Sequence, residues 1–177
     1  TGVNPEKITV TLESADELPK GNEPVDELIG KKFIMYIGRP TPHKNLRRLI
    51  DAFALLQKKY PDLTLALAGK KDSNYVRHET YVNEHGIKNV VFTGFISDEQ
   101  LRWMYENTAV YCFPSLSEGF GLPGLEAMLH GAPVASSTAT CLPETHGDAA
   151  YYFDPFSVED IAKSIDDILS DDKLRNE

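Results

Sequence analysis

Hydrophobic residues in this chain alternate between short continuous runs and stretches where they recur every three or four positions. Residues 32–38 (Lys-Phe-Ile-Met-Tyr-Ile-Gly) form one continuous run closed by glycine, as expected of a strand buried on both faces. Residues 63–69 and 89–94 repeat the pattern and also end in glycine, and residues 109–114, 132–136 and 149–153 give three more strands. Between them, residues 45–60 place Leu46, Leu49, Ile50, Phe53 and Leu56 at helical spacing until Pro61 stops the run. Residues 74–85 read as a polar helix. Ser97-Asp-Glu-Gln100 has capping-box spacing and opens a helix to about residue 106, and residues 122–130 form another. Ser157-Val-Glu-Asp160 repeats the cap signal ahead of Ile161, Ile165, Ile168 and Leu169, which share one face. The charged end, residues 171–177, reads as a helix cut short.

Strand and helix therefore alternate, with connections too long for hairpins. Parallel strands need such crossovers, so the pattern predicts an α/β fold: a doubly wound, Rossmann-like parallel sheet formed by residues 33–177. Residues 1–32 read as a lead-in belonging to the same domain. They hold a short strand over residues 8–11 and then an acidic surface connection rich in Glu, Asp, Pro and Gly.

Composition narrows the function. At 177 residues, 41% hydrophobic and 25% charged, the chain has the makeup of one ordinary globular domain. No apolar run approaches the roughly 18 to 20 residues that span a bilayer, and the first residues lack a signal-peptide pattern. Cys112 and Cys141 show no metal or redox spacing and are expected to be buried free thiols, consistent with a cytoplasmic protein. The net charge of −9 argues against a nucleic-acid partner, since phosphate backbones demand clustered cations.

In a sheet of this kind ligands bind beyond the carboxyl ends of the strands, where three loops hold unusual residues and should converge. The first, Gly38-Arg39-Pro-Thr-Pro-His-Lys44-Asn45, puts a planar guanidinium and a flexible ammonium at a strand mouth in an acidic chain, which points to phosphate. The alternative is solvated surface at a helix start. The second runs from Pro114 through Glu118-Gly-Phe120-Gly121-Leu122-Pro-Gly124 into a helix that carries Glu126. The amides of Phe120, Gly121 and Leu122 suit an anion or a sugar oxygen, while Glu118 and Glu126 can accept from hydroxyl groups. Here the alternative is a solvated Glu118 and a Glu126 that only stabilises its helix. The spacing Gly119-x-Gly121-x-x-Gly124 matches the dinucleotide fingerprint, but it follows the fourth strand and lacks the acid expected about 20 residues on. The third loop, Cys141-Leu-Pro-Glu144-Thr-His146-Gly-Asp148, holds a histidine with no nucleophile to pair with. Neither a Walker loop nor a nucleophile elbow occurs, and the histidines have no metal-ligand spacing.

Glu118-Gly-Phe-Gly-Leu-Pro-Gly-Leu-Glu126-Ala-Met, followed by Gly131-Ala-Pro-Val134 and Leu142-Pro-Glu144, resembles the signature of family 4 glycosyltransferases. With Gly38-Arg39…Lys44 and Val91-Phe-Thr-Gly94-Phe95-Ile96, the resemblance runs from Lys32 to Leu169. It implies one half of a GT-B enzyme, the C-terminal domain that holds a nucleotide-diphosphate sugar. By matching position, Arg39 and Lys44 would neutralise the diphosphate, Glu118 and the amides of Phe120, Gly121 and Leu122 would hold the transferred sugar, and Glu126 would hold the ribose. The base would lie near Gly69-Lys70 and Phe95-Ile96. Such enzymes retain anomeric configuration and need neither cofactor nor metal. The loop Arg-Pro-Thr-Pro-His-Lys-Asn, in place of the usual Arg…Lys-Gly, resembles the mannosyltransferase branch and favours GDP-mannose. The resemblance also implies an N-terminal domain, absent from this chain, for a saccharide or lipid-linked acceptor, and peripheral association of the full-length protein with the inner face of the membrane. Two other readings stand beside it: a non-catalytic nucleotide-sugar-binding or interaction domain, and, disfavoured by motif placement, a dinucleotide-binding domain.

Overall fold

Alternation in the first apolar run decides how the layers form. Phe33 and Met35 face one side of the sheet while Ile34 and Tyr36 face the other, and all four are at most 1% exposed. The computed structural model describes residues 2–11, 13–21 and 23–176. The positions left out at 1, 12, 22 and 177 include parts of the expected lead-in and terminal helix, which to that extent lie outside the described residues.

Six strands form one sheet: β1 (Phe33–Ile37), β2 (Thr64–Ala68), β3 (Val90–Gly94), β4 (Val110–Phe113), β5 (Val134–Ser137) and β6 (Tyr151–Phe153). Their order is β3-β2-β1-β4-β5-β6, and every pair is parallel. Met35 of β1 lies opposite Ala66 of β2 on one side and Tyr111 of β4 on the other. The helices are α1 (Leu46–Leu56), α2 (Ser73–Glu84), α3 (Asp98–Asn107), α4 (Leu122–Leu129), α5 (Leu142–His146), α6 (Val158–Ser170) and α7 (Asp172–Asn176).

One face of the sheet is covered by α1 and α6, which bury Leu49, Ile50 and Phe53 against Ile161, Ile165 and Ile168. The other is covered by α3 and α4 around Met104, Tyr105 and Ala127. Both serine caps form as expected. Ser97 Oγ accepts from the Gln100 amide and Gln100 Oε1 accepts from the Ser97 amide, while Ser157 accepts from the Asp160 amide at 3.1 Å.

Residues 8–11 are a correction: they form no strand. Ile8 and Val10 are 58% and 81% exposed, and the sheet ends at β3 and β6. Four alternating residues have too little apolar face to hold a strand without a neighbour to pair with. Further along, the lead-in does dock. The Leu18 amide donates to His130 Nε2 at 3.2 Å, the Leu18 carbonyl accepts from Arg102 at 2.8 Å, and Val25 and Leu28 are buried.

Candidate functional site

Strand order reverses between β1 and β4, so the loops leaving their carboxyl ends diverge and open a crevice. What fixes the crevice walls is a set of bonds between loops. Asn45 takes the left-handed conformation (φ 60°) and is 4% exposed. Its Nδ2 donates to the carbonyls of Pro114 and Pro155 at 2.9 and 2.8 Å, and its Oδ1 accepts from Arg48 at 2.9 Å. The Leu116 amide donates to the His43 carbonyl at 2.7 Å. The loops after β1, β4 and β6 are thereby tied at one point.

From that tie Lys44 reaches across. Its ammonium donates to Glu118 Oε1 at 2.6 Å, with side chains only 20% and 12% exposed. The loop after β5 completes the wall. Thr140, also left-handed, accepts from the Glu118 amide at 3.1 Å and donates to the Glu118 carbonyl at 3.3 Å, and the Cys141 thiol points at the same carbonyl at 3.4 Å. The three loops expected to converge do so. Burial, and behind it the Glu118 carboxylate, raises the Tyr36 hydroxyl well above its ordinary range.

The next segment enters α4 through Gly121, at φ 101° and ψ 32°. Among the described residues the amides of Phe120, Gly121 and Leu122 have no acceptor. They sit at a helix start, where the peptide dipoles favour negative charge. One turn on, Glu126 is half-buried, and its Oε2 accepts from Tyr105 at 3.4 Å. That hydroxyl also donates to the Pro123 carbonyl at 3.3 Å, and burial first, then Glu126, raises it. Among the described residues no hydrogen bond or ion pair links Glu126 to Lys44 or Glu118.

Arg39 goes the other way. Its Nε donates to Asp72 Oδ2 at 3.2 Å, on the loop after β2, and its side chain is 74% exposed. The two cations of the β1 loop therefore flank that strand, Lys44 toward β4 and Arg39 toward β2. Asp72 caps α2 through the amides of Asn74 and Tyr75; the Tyr75 amide and then the Arg39 guanidinium hold its carboxyl below the usual range. On this side the backbones pack closely. The Gly38 amide donates to Ala68, the Gly69 amide donates to Gly94, and a β-carbon on Gly69 would overlap the Gly38 carbonyl. Only glycine fits that approach. The Tyr75 hydroxyl accepts from the Gly94 amide at 2.8 Å and donates to the Leu67 carbonyl at 3.0 Å. Phe95 then stands 86% exposed, Ile96 half-buried and Lys70 exposed.

Sequence reasoning missed Asn45, Asp72, Tyr75 and Thr140 as parts of the wall. Asp72 does carry a signal, an acid just before a polar helix, and Asn tolerates the left-handed turn at residue 45. Nothing local marks Tyr75 or Thr140. Cys112 is buried and free as expected, whereas Cys141 is free but only half-buried, because it lines the loop surface. No helix among the described residues is long and apolar enough to cross a membrane.

Sheet order, parallel pairing and the reversal of strand order between β1 and β4 define a doubly wound α/β domain of the Rossmann type. Residues 21–177 match the family described as Glycosyl transferases group 1, and the chain belongs to that family. It is 36% identical over 155 residues to the O-antigen chain mannosyltransferase B of Escherichia coli, covering 84% of this chain and 40% of that protein. The chain thus spans about two fifths of that relative's length. Among solved structures it is similar to the C-terminal domain of the group 1 glycosyl transferase LpcC from Francisella tularensis, with 32% identity and a TM-score of 0.73, covering 85% of this chain and 82% of that one. It is also similar to Anabaena HepE in complex with UDP-glucose, with 25% identity and a TM-score of 0.74 over 84% of this chain and 42% of that one.

Proposed function

We propose that this chain is the donor-binding domain of a retaining hexosyltransferase, which holds a nucleotide-diphosphate sugar while a second domain holds the acceptor. The observation that carries the reading is the Lys44–Glu118 pair at 2.6 Å beside three helix-start amides that lack acceptors. An ammonium has three donors. With one committed to Glu118, two can serve phosphate oxygens, and the second Glu118 oxygen can accept from a sugar hydroxyl. The amides of Phe120, Gly121 and Leu122 would meet the remaining sugar oxygens.

Glu126 gives one oxygen to Tyr105 and keeps the other for a ribose hydroxyl. Arg39 is exposed and weakly held, so it can swing from Asp72 to the diphosphate. Phe95 and Ile96, with the backbone at Gly38, Gly69 and Lys70, would form the base platform. Lys44 and Arg39 together would stabilise the charge that develops on the leaving diphosphate, the work a metal performs elsewhere. The name of the Escherichia coli relative makes mannose the first sugar to test, on GDP.

The test is calorimetric titration of GDP-mannose, UDP-glucose and ADP-glucose into the 177-residue chain. One donor should bind, and Glu126→Ala should remove its preference for ribose over 2′-deoxyribose. No heat from any of the three would overturn the reading.

A further inference from the structure

Two glycines of the α4 entry are explained by something other than phosphate. A β-carbon on Gly124 would lie 2.5 Å from His146 Cε1, in contact with its Nε2, and 3.2 Å from Phe113. One on Gly121 would lie 3.1 Å from His146 Nε2 and 2.6 Å from Leu142. His146 is 4% exposed and packs on Phe113, with ring centroids 5.7 Å apart. Lys44 Nζ stands over that same phenyl ring at 5.9 Å. The imidazole therefore fills the space between the end of β4 and the first turn of α4, one ring removed from the Lys44–Glu118 pair.

Its hydrogen bonds fix which nitrogen carries the proton. Nε2 lies 3.2 Å from the Gly121 carbonyl, which can only accept, so Nε2 is the donor. Nδ1 lies 3.2 Å from Ser136 Oγ, whose hydroxyl can donate to it in place of the longer 3.4 Å bond to the Ser137 carbonyl. The Gly121 carbonyl also takes the Gly124 amide at 3.0 Å, the first bond of the helix. In a trans peptide the carbonyl and the following N–H point in opposite directions. A Gly121 carbonyl drawn inward by two donors turns the Leu122 amide outward, into the crevice.

We propose that His146 is a positioning residue: as the Nε2–H tautomer it holds the Gly121 carbonyl inward and aims the Leu122 amide at the ligand, and the glycines at 121 and 124 are the room its ring needs. The role rests on the donor-binding reading above. It also gives Gly121 and Gly124, two of the three glycines in the Gly-x-Gly-x-x-Gly spacing, a packing cause.

Two measurements test it on the 177-residue chain. Long-range proton–nitrogen NMR of the ligand-free protein should show His146 protonated at Nε2; an Nδ1–H tautomer overturns the proposal whatever the chain binds. His146→Leu keeps bulk without a donor, and His146→Gln returns an amide N–H near the Nε2 position. The Leu122 and Gly124 amide resonances should shift in the leucine variant and return toward wild type in the glutamine variant. In titrations, the affinity gained by a nucleotide sugar over its parent nucleoside diphosphate should fall about tenfold in His146→Leu, the loss of one hydrogen bond, and recover in His146→Gln. Affinity for the nucleoside diphosphate alone should stay unchanged in both. An undiminished gain in His146→Leu overturns the proposal. If no nucleotide binds wild type, the donor reading fails instead, and the tautomer and amide shifts still decide the positioning. Should the leucine variant not fold, the wild-type tautomer and the glutamine variant carry the test.

Discussion

The two sides of the β1 carboxyl end are built differently. Toward β4 and β5 the candidate side chains are enclosed: Lys44 and Glu118 are 20% and 12% exposed, and Thr140 brackets the Glu118 backbone from both sides. Toward β2 and β3 the backbones are just as tightly joined, through Gly38, Gly69 and the Tyr75 hydroxyl. There, however, the side chains that could meet a ligand stand in solvent, Arg39 at 74% and Phe95 at 86%. One wall is organised before a ligand arrives, while the other offers groups that a ligand must order. Under the proposed function the sugar and its leaving group meet the rigid wall, where geometry governs chemistry. The base, with the phosphate oxygens that Arg39 would take, meets the adaptable one, whose groups the ligand itself must order.

Removing Lys44 should have the largest effect. Lys44→Ala leaves the part-buried Glu118 carboxylate without a counter-charge, and losing one partner of such a pair costs about 2 to 3 kcal/mol. Urea denaturation should show that loss, and Glu118→Gln in the same chain should restore part of it by removing the stranded charge. Arg39→Ala, by contrast, should leave the denaturation midpoint in place, since an exposed pair contributes little. Equal losses from the two lysine and arginine variants would erase the distinction between the walls.

Gly124→Ala probes the rigid wall from below. In an exposed helix this change stabilises by about 1 kcal/mol. Here the new methyl meets an imidazole held between Phe113 and the Gly121 carbonyl, so overpacking should outweigh propensity and cost about 2 kcal/mol. In a His146→Ala background the same substitution should become neutral or stabilising. That reversal of sign, read by thermal or urea unfolding, is the signature of the ring's occupancy; a cost that persists would place the clash elsewhere.

Much of this architecture is legible in the sequence because strands buried on both faces leave continuous apolar runs, and Gly38, Gly69 and Gly94 close three of them. Ser97 and Ser157 mark helix starts for a local reason, their own side chains bonding amides three residues on. The β5 start is misjudged by two residues because Ala132 and Pro133 are apolar yet serve the turn: Ala132 closes the end of α4, and the Pro133 carbonyl accepts from Tyr111. Ile8 and Val10 mislead because alternation without a partner strand looks the same on paper. In the site, Lys44 and Glu118 stand out by chemistry and by their place at strand ends, but they lie 74 residues apart and nothing local says that they pair. The same holds for Arg39 with Asp72 and for Asn45 with the carbonyls of Pro114 and Pro155. Such links belong to the topology, which only the folded chain displays.

A smaller effect should appear in the pH dependence of stability. Burial lowers the His146 pKa from its ordinary 6.5, and the bond to the Gly121 carbonyl only partly opposes this. A group whose folded pKa is depressed in this way takes its proton more readily when unfolded. Its contribution is complete above about pH 6.5 and is lost as pH falls below that value, by at most about 1.4 kcal/mol per pH unit. His78 moves in the same direction, through burial and then Arg47, so the useful quantity is a difference between proteins. The unfolding free energy of wild type minus that of His146→Gln should shrink between about pH 7 and pH 5. A constant difference would mean that the imidazole takes its proton as easily folded as unfolded, which its enclosure between Phe113 and α4 does not allow.

The smallest structural effect belongs to the open wall, and it carries the sharpest contrast. Arg39→Ala removes an exposed guanidinium whose partner Asp72 keeps its two amide donors, Asn74 and Tyr75, so the α2 cap survives. Unfolding should be indistinguishable from wild type. Donor affinity should nevertheless fall about tenfold, because a charge-assisted bond to phosphate is worth roughly twice a neutral one. The loss should lessen as salt rises, since an exposed cation is screened within about 10 Å at 0.1 M ionic strength. For Lys44, enclosed beside Glu118, the salt dependence should be weaker. Calorimetric titration of the two variants across ionic strength therefore separates the walls by electrostatics alone. If Arg39→Ala left donor affinity unchanged, Arg39 would be only the partner of Asp72, and phosphate recognition would fall to Lys44.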